Sequence, residues 1–588
     1  MTATIEATAR RNDTGREEPQ GPLATKIGFG SDVVAATLRD LDLKYIALNP
    51  GASYRGLHDS IVNYLGNKNP EMLLCLHEEH AVHIAQGYAK ATDKMMACAV
   101  HSNVGLMHAT MAIFNAWCDR MPMVILGATG PLDAMRRRPW IDWIHTTRDQ
   151  AAMIRQYVKF DDIPGSPGAA REALVRAKWI AETAPKGPVY INLDVNLQED
   201  AMASDLPSMD VKRFSPKIAP GATPQEIGEI AELVAAARNI LIIYGRFSRS
   251  EQGWADRVAL AEKLNAKVLT DLKLGATFPT EHGLHVAAPS VGPNKAADAA
   301  INAADLILAF DAVDLGGMFK YACPAGAPAA KVVHVSMDHR IHNGWSMDHQ
   351  GLPAVDLMVS ADVDQVVPAL LAAVEKKPAI GSPRPRSEPF ELGEADTMPR
   401  QRDAALALRA ALGDRPVTLA STTIAWNVAW WPLNHPLDYL GGAAGGGIGA
   451  GPGISVGAAL ALKDDKRLVV GVLGDGDFVM GCTAVWTAAR YKLPLLIVVF
   501  DNSSFYNDEI HQERVAQARS RPPENMWIGQ KMIEPALDLA KLAEGQGALG
   551  IGPVMTIGDL PAAFAKAIAH VEAGGVAVVD VSVVPGYE

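Results

Sequence analysis

Two neighbouring segments, GVLGDGDF (residues 471–478) and LPLLIVVFDNSS (residues 493–504), decide the fold. Each is an apolar run that ends in oxygen-bearing side chains, and Asn502 follows Asp475 by 27 residues. One strand–helix–strand crossover takes about 30 residues, so we expect these two side chains at the carboxyl ends of neighbouring parallel strands. Ligands of open α/β sheets bind at those ends. The alternative explanation is an ordinary turn and surface loop, since Asp-Gly turns are common.

A hard cation such as Mg²⁺ suits this arrangement, because it prefers oxygen ligands in a near-octahedral array. The Asp475 carboxylate, the Asn502 amide oxygen and a backbone carbonyl near Ser504 can supply three ligands. Phosphate oxygens and water would complete the shell. The glycines beside Asp475 let the backbone approach a phosphate, and a helix N-terminus expected after Asp477 favours an anion.

The composition excludes several classes of protein. The chain has 588 residues, of which 48% are apolar and 20% charged, as in a soluble globular enzyme. The net charge is −12 without a long basic run, which argues against a nucleic-acid or acidic-membrane partner. Five cysteines without a CxxC pair argue against a disulfide framework or zinc ribbon and fit a reducing compartment. No apolar run approaches the roughly 18–20 residues that cross a bilayer. We expect a cytoplasmic protein.

Short apolar runs alternate with helical patterns in three segments, which indicates parallel α/β layers. Stretches rich in proline and charge separate the segments and read as linkers. The expected fold class is therefore α/β, with three doubly wound parallel-sheet domains. The expected division is a mobile N-terminal tail (1–24), a first domain (25–195), a linker (196–223), a central Rossmann-like domain (224–375), a second linker (376–400) and a third domain (401–588).

The Gly-Asp-Gly motif and the later asparagine resemble the cofactor motif of the thiamine-diphosphate enzymes. That family often has an Asn-Asn pair where this chain has Asp501-Asn502, and the second position, the metal ligand, is retained. The resemblance implies thiamine diphosphate held through Mg²⁺, with Asp475, Asn502 and the Ser504 carbonyl as metal ligands. It also implies that the first domain binds the pyrimidine and the third binds the diphosphate.

The segment CLHEEHAVHIAQGYAKATDK (residues 75–94) resembles the family's His-Glu pair and the helix that follows it. The family's glutamate hydrogen-bonds the aminopyrimidine of the cofactor, which then removes its own C2 proton. The resemblance gives this role to Glu78, whereas Glu79 is expected to be solvated. Burial would let Glu78 share a proton with the pyrimidine.

A histidine metal site is the rival interpretation of the same segment. His77, His80 and His83 lie within seven residues, but the i, i+4 pair of a HExxH motif is absent. Their spacing spreads them around a helix, so ordinary helix or strand-end histidines are the preferred interpretation.

The first domain most resembles the benzoylformate decarboxylase branch of the family. NPGASYRGLHDS (residues 49–60) resembles its Asn-Pro-Gly-Ser turn, and His101 takes the place of its catalytic histidine. A neutral imidazole there could relay protons, although a plain strand-end histidine is the alternative. Two departures argue against benzoylformate itself as substrate. Ala52, with Ser53 beside it, replaces the serine, and the histidine of the second domain falls near Asp311.

Several further candidates border this expected site. Glu509 and His511 could be acid–base groups, or a solvated helix start. The loop around Arg136 and Arg138 could bind an anionic substrate or a CoA phosphate, or be a surface patch. FAD or ADP in the central domain is weakly indicated. The remaining candidate cofactor-binding residues are Gly51, Thr422, Ile448 (a wedge under the cofactor), Gly474, Gly476 and Asp477.

The resemblance implies a homodimer or homotetramer in which Glu78 meets the diphosphate domain of a second subunit. It also implies carbon–carbon cleavage or formation on a 2-oxo acid through a C2 carbanion and an enamine, by a decarboxylase or an acetolactate-synthase-like carboligase. Two alternatives stay open: a 2-hydroxyacyl-CoA or oxalyl-CoA type lyase with an acyl-CoA substrate, and a catalytically silent homologue that acts as a regulatory or binding subunit.

Overall fold

The computed structural model describes residues 17–214, 219–289, 294–324, 326–378 and 390–587. Within these ranges the chain forms three wholly parallel sheets flanked by helices. The predicted fold class, three doubly wound α/β domains, is confirmed. Residues 1–16 of the expected tail and 379–389 of the second expected linker lie outside the described residues. None of the helices described is long and apolar enough to span a bilayer.

The first sheet has the strand order β2-β1-β3-β4-β6-β5. Its strands are β1 (Tyr45–Leu48), β2 (Glu71–Leu74), β3 (Met96–Val100), β4 (Met123–Thr129), β5 (Asp161–Asp162) and β6 (Pro188–Asp194). Its helices are α1 (Gly30–Asp40), α2 (Arg55–Asp59), α3 (Glu78–Thr92), α4 (Ser102–Asp119), α5 (Pro167–Glu182) and α6 (Val195–Glu199). The central strands β3, β4 and β6 are buried along their whole length, which explains their unbroken apolar sequences.

The central sheet has the order β12-β11-β10-β7-β8-β9, in which the first strand lies beside the fourth as in Rossmann folds. Its strands are β7 (Ile240–Tyr244), β8 (Lys267–Thr270), β9 (His285–Ala287), β10 (Leu306–Phe310), β11 (Lys331–Val335) and β12 (Leu357–Val359). Its helices are α7 (Pro224–Ala236), α8 (Glu251–Leu264), α9 (Lys295–Ala303), α10 (Leu315–Ala322) and α11 (Val363–Ala373).

The third sheet has the order β13-β14-β15-β17-β16. Its strands are β13 (Val417–Ser421), β14 (Leu468–Gly474), β15 (Leu495–Asp501), β16 (Leu549–Val554) and β17 (Val576–Ser582). Its helices are α12 (Gln401–Leu412), α13 (Ala450–Leu462), α14 (Asp475–Gly481), α15 (Ala484–Arg490), α16 (Tyr506–Ala518), α17 (Leu539–Gly545) and α18 (Leu560–Glu572). Gly474 pairs with Phe500, so β14 and β15 are neighbours as the spacing predicts.

Apolar runs such as MLLCLHEE (72–79) and PVTLAST (416–422) predict 13 of the 17 strands described. The sequence patterns missed four strands, β5, β9, β12 and β16, and each lies at the edge of its sheet. An edge strand has one unpaired side and is less buried, so its apolar pattern is weak. The described part of the expected tail makes contacts with the first and third domains through Glu17. Glu17 forms an ion pair with Arg490, and its carbonyl accepts a hydrogen bond from Asn67.

Helices α3 and α13 join the first and third domains by close backbone contact. A Cβ built on Gly87 would lie 2.1 Å from the Ile454 carbonyl oxygen, and one on Gly457 would lie 2.1 Å from the Ile84 carbonyl oxygen. Glycine is therefore required at both positions by the approach of the partner helix. This contact fixes the orientation of α3, which begins at Glu78.

The far end of α3 is anchored by a buried ion pair. Lys90 Nζ lies 2.8 Å from an Asp119 carboxylate oxygen, and both side chains are 3% exposed. Lys90 also donates to the Gly442 carbonyl, and the other Asp119 oxygen accepts from the Ala444 backbone N–H. Arg249 of the central domain donates to the Lys90 carbonyl. The three domains therefore meet at one hydrogen-bonded junction.

The helix contact predicts a selective effect of a single methyl group. Gly87→Ala should destabilise the protein by about 1–3 kcal/mol, since the helices must move apart to admit it. Gly228→Ala is the matched control, because Gly228 lies in α7 with no atom near its Cβ position, and alanine favours a helix. Thermal unfolding measures both variants. A Gly87→Ala midpoint equal to that of Gly228→Ala would contradict the close contact.

Candidate active site

The third domain gathers oxygen donors at the ends of β14 and β15. Helix α14 begins at Asp475 itself, one turn earlier than the expected start after Asp477, because the strand passes directly into the helix. The Asp475 carboxylate accepts the backbone N–H of Gly476 at 2.7 Å and that of Ser504 at 3.1 Å. Asp475 therefore links the start of the helix to the loop after β15.

Burial and neighbouring acids favour the binding of a cation at the ends of β14 and β15. Burial and a hydrogen bond with Asp501 raise the pKa of Asp475 to about 7. Burial, followed by the charges of Asp501 and Asp475, raises the pKa of Asp580 to about 7 as well. The Asn502 amide oxygen is buried and has no hydrogen-bond partner among the described residues. A divalent ion would neutralise the acids and occupy the free oxygen, so these residues fit Mg²⁺.

The remaining candidates of the third domain surround this corner in different ways. Asp477 accepts the backbone N–H of Gly449 at 2.6 Å, and so it holds the start of α13. Glu509 is buried and accepts the hydroxyl of Ser504, whereas His511 is exposed. Glu509 therefore supports the loop after β15 in this structure, and the acid–base roles of Glu509 and His511 stay predictions.

Two further candidates flank the same sheet. The Thr422 hydroxyl, just after β13, donates to the Tyr439 hydroxyl at 3.0 Å. Ile448, just before α13, is 47% exposed, so its side chain is open to contact with a ligand or a second chain. The cofactor-contact roles of Thr422, Ile448, Gly474 and Gly476 stay predictions.

Glu78 is a buried acid at the first position of α3, with the residue 6% exposed. One carboxylate oxygen lies 3.1 Å from His108 Nδ1, and a Cβ on Gly105 would lie 2.9 Å from the other. The glycine therefore leaves the room that the carboxylate occupies. Glu79 is half-buried rather than solvated, and burial raises its pKa.

The three histidines of this helix do not converge on one metal ion. His77 Nδ1 accepts the Glu79 backbone N–H and so caps α3. His80 Nε2 bonds to the Thr483 hydroxyl at 2.7 Å, and His83 Nε2 bonds to the Asn115 side chain at 3.3 Å. Each imidazole has a different partner, which supports the preferred interpretation of ordinary structural histidines. His77, Glu78 and His108 do lie close together.

His101 follows β3 and lies beside the turn after β1. Its Nδ1 is 2.9 Å from the Ser53 hydroxyl, so the neighbour of Ala52 supplies the hydroxyl at this point. A Cβ on Gly51 would lie 2.3 Å from the His101 side chain, which requires glycine there. Burial, and then the nearby His145, lower the pKa of His101, so its imidazole is neutral at neutral pH.

The basic loop and Asp311 have partners within the chain. Arg136 forms an ion pair with Asp200, and Arg138 with Asp142.

Asp311 accepts the hydroxyl of Ser336 at 2.6 Å in the central domain. It therefore belongs to that domain's polar network and shows no contact with the His101 site.

A cavity lies at the carboxyl ends of the strands of the central domain, the domain in which the sequence weakly indicates FAD or ADP. Arg246, Asp311 and Asp338 line it together with residues of the first domain. Arg246 lies 3.2 Å from Asp338, so charged groups there already pair with one another. A nucleotide in this cavity stays a prediction.

Sequence patterns missed several residues of these corners. Asp580 is a single acid within the buried strand β17, and that isolated charge was the one available signal. Gly105 and His108 belong to α4, and only the packing of α4 against α3 places them at Glu78.

Comparison with known proteins agrees with this geometry. Three family models match the chain: the N-terminal TPP binding domain of thiamine pyrophosphate enzymes over residues 29–153, their central domain over 227–370, and their C-terminal TPP binding domain over 420–581. The chain belongs to the thiamine-pyrophosphate enzyme family. It is therefore an enzyme that depends on thiamine diphosphate, as the resemblance implies.

Individual relatives of this thiamine-diphosphate enzyme are distant but extend along most of its length. A probable acetolactate synthase large subunit of Methanocaldococcus jannaschii is 24% identical over 88% of this chain and 86% of its own. A benzoylformate decarboxylase of Pseudomonas aeruginosa is 25% identical over 74% of this chain and 79% of its own. The solved 4-hydroxybenzoylformate decarboxylase of Rhodococcus jostii RHA1 has the same fold, with a TM-score of 0.78, 23% identity and coverage of 95% and 99%.

The buried histidines of α3 predict a loss of stability in acid. Burial lowers the pKa of His83 to about 3 and that of His80 to about 4. Below the ordinary value near 6.5, the folded state thus binds fewer protons than the unfolded state, so stability falls as pH drops from about 6.5 toward 4. Each histidine contributes up to about 1.4 kcal/mol per pH unit.

Thermal unfolding between pH 7 and pH 4.5 measures this effect. His83→Gln removes one titrating group and should flatten the pH dependence, whereas His349→Gln, at an exposed position of the central domain, should not. Equal pH dependence in both variants would show that His83 is not held neutral by the fold.

Proposed function

We propose that this enzyme uses thiamine diphosphate and Mg²⁺ to cleave or form a carbon–carbon bond of a 2-oxo acid. The observation that carries the proposal is the presence of two buried polar clusters at strand ends, which we call the Glu78 corner and the metal corner. One has the buried Glu78 at a helix start. The other has Asp475 and the Asn502 oxygen at neighbouring strand ends, and that oxygen has no hydrogen-bond partner in the part of the chain that the structure describes. Decarboxylation and acetolactate-type carboligation are both consistent with the named relatives.

Each corner has a distinct task in this proposal. Asp475, Asn502 and the Ser504 carbonyl would hold Mg²⁺ at the diphosphate end of the cofactor. Glu78 would bond to the pyrimidine, and the neutral imidazole of His101 would move a proton to or from the reacting substrate. When bound, thiamine diphosphate supplies the nucleophilic carbon and the electron sink that the reaction requires.

The proposal includes a domain division and an assembly. Residues 25–195 form the pyrimidine-binding domain and residues 401–588 the diphosphate-binding domain, with Glu78 acting on the cofactor of a partner subunit in a homodimer or homotetramer. The exposed Ile448, Trp527 and Ile528 of the third domain support burial against another chain. A cytoplasmic location fits the free cysteines.

The two alternatives receive less support. A CoA lyase needs cations for the CoA phosphates, but the Arg136 and Arg138 guanidinium groups are paired with acids of the same chain. A silent homologue does not need the buried acid Glu78 or the carboxylate Asp475, and both are present in built positions.

The metal corner predicts the result of removing its carboxylate. Asp475→Ala should abolish retention of thiamine diphosphate, because Mg²⁺ loses its charged ligand. Asp464→Ala, an exposed acid of the same domain, is the control and should bind as the wild type does. Equilibrium dialysis with Mg²⁺ measures both variants. Wild-type affinity in Asp475→Ala would refute the metal assignment.

The Glu78 corner predicts a separate effect. Glu78→Gln should bind Mg²⁺ and the diphosphate but slow exchange of the cofactor's C2 proton by about 100-fold or more, since the pyrimidine loses its acidic partner. Glu79→Gln, the adjacent acid, should exchange at the wild-type rate. The measurement is quenched-flow hydrogen–deuterium exchange read by NMR. Fast exchange in Glu78→Gln would remove Glu78 from the mechanism.

A further inference from the structure

A second imidazole lies directly against His101. The ring of His145 is 4.6 Å from that of His101, centroid to centroid, and meets it edge-on at 72°. His101 follows β3 and His145 lies on the loop after β4, and these strands are neighbours in the sheet. Parallel strands bring their carboxyl ends to one edge, so the two histidines meet although 43 residues separate them.

The position of His145 is fixed by its own backbone. Its carbonyl accepts the Gly130 N–H at 3.0 Å, and its N–H donates to the Asp142 carbonyl at 3.1 Å. The Asp142 side chain is 4% exposed and accepts both the backbone N–H of Arg138, at 2.6 Å, and its guanidinium, at 2.9 Å. Thr146 donates to the Asp142 carbonyl at 2.7 Å. These hydrogen bonds fix the backbone around His145 within an otherwise exposed loop.

His101 has a defined environment on every side. Ser53 contacts its Nδ1, which leaves Nε2 for other partners. His145 faces its ring from the β4 loop, while the charges of Glu78 and Arg138 also act on it. Asp311 of the central domain is bonded to Ser336 within that domain.

We infer that His145 is a positioning residue of the substrate site, acting through His101 by fixing its ring and keeping it in the neutral form. This inference rests on the proposed role of His101 as the group that moves a proton. Two imidazoles in contact do not both carry a proton at low cost, because like charges repel. The charge of His145 therefore lowers the pKa of His101, after the larger effect of burial, and the edge-on contact restricts rotation of the His101 ring.

The direct test is the titration of His101 in the intact protein. Ring-labelled [¹³Cε1]histidine protein gives an NMR signal for His101, which is assigned by its loss in His101→Gln. His145→Gln removes the second charge, and His145→Phe also preserves a ring that packs edge-on. In both variants the titration midpoint of His101 should move upward by roughly half a pH unit or more. His349→Gln, at an exposed position of the central domain, should leave it unchanged.

The outcomes separate this inference from the proposed function. An unchanged His101 midpoint in folded His145→Gln and His145→Phe would overturn the inference, and an unchanged midpoint in His145→Phe alone would reduce His145 to a packing role and also overturn it. On a panel of 2-oxo acids, the acid limb of kcat/KM should move in the same direction as the midpoint, with kcat lowered more than KM is changed. No turnover by the wild type would defeat the proposed function, while the NMR result would still decide whether His145 controls His101.

Discussion

The buried packing of α3 against the third domain sets the position of Glu78 and therefore the geometry of the whole site. At one end, Lys90 and Asp119 form a buried ion pair. Gln86 of α3 donates to Asp119, and backbone groups of the third domain bond to both side chains. Breaking such a pair would leave an uncompensated charge in the interior, so displacing this end of the helix from Asp119 is costly. Along its length, the Gly87 contact admits no side chain. At the other end stands Glu78, whose placement is therefore set by interdomain packing.

The parallel sheets bring the functional side chains together at the carboxyl ends of their strands. Every group assigned to the chemistry follows the carboxyl end of a strand: Ser53, Glu78, His101 and His145 in the first sheet, and Asp475 and Asn502 in the third. Burial at these ends has opposite effects on acids and imidazoles. It raises the pKa of Asp475 and lowers that of His101, which leaves one corner ready for a cation and the other with a neutral base.

Local sequence carried much of the fold and part of the site. The apolar runs and the spacing from Asp475 to Asn502 were sufficient for the adjacency of β14 and β15, because a single crossover has a characteristic length. Four of the six edge strands described, β5, β9, β12 and β16, escaped prediction since their burial is incomplete. His108, His145 and Asp580 escaped because their contacts depend on tertiary packing, which local patterns do not encode. The start of α14 was misplaced by one turn, since the glycines around Asp475 masked a direct strand-to-helix transition.

In the proposed enzyme, one coenzyme spans both corners. A crystal structure of the protein with thiamine diphosphate and Mg²⁺ would show whether it does. We expect a metal ion bound by Asp475 and Asn502 at the diphosphate, and the Glu78 carboxyl of a neighbouring subunit within hydrogen-bond distance of the pyrimidine ring. Density that places the pyrimidine away from every Glu78 side chain, or the diphosphate away from the ends of β14 and β15, would contradict it.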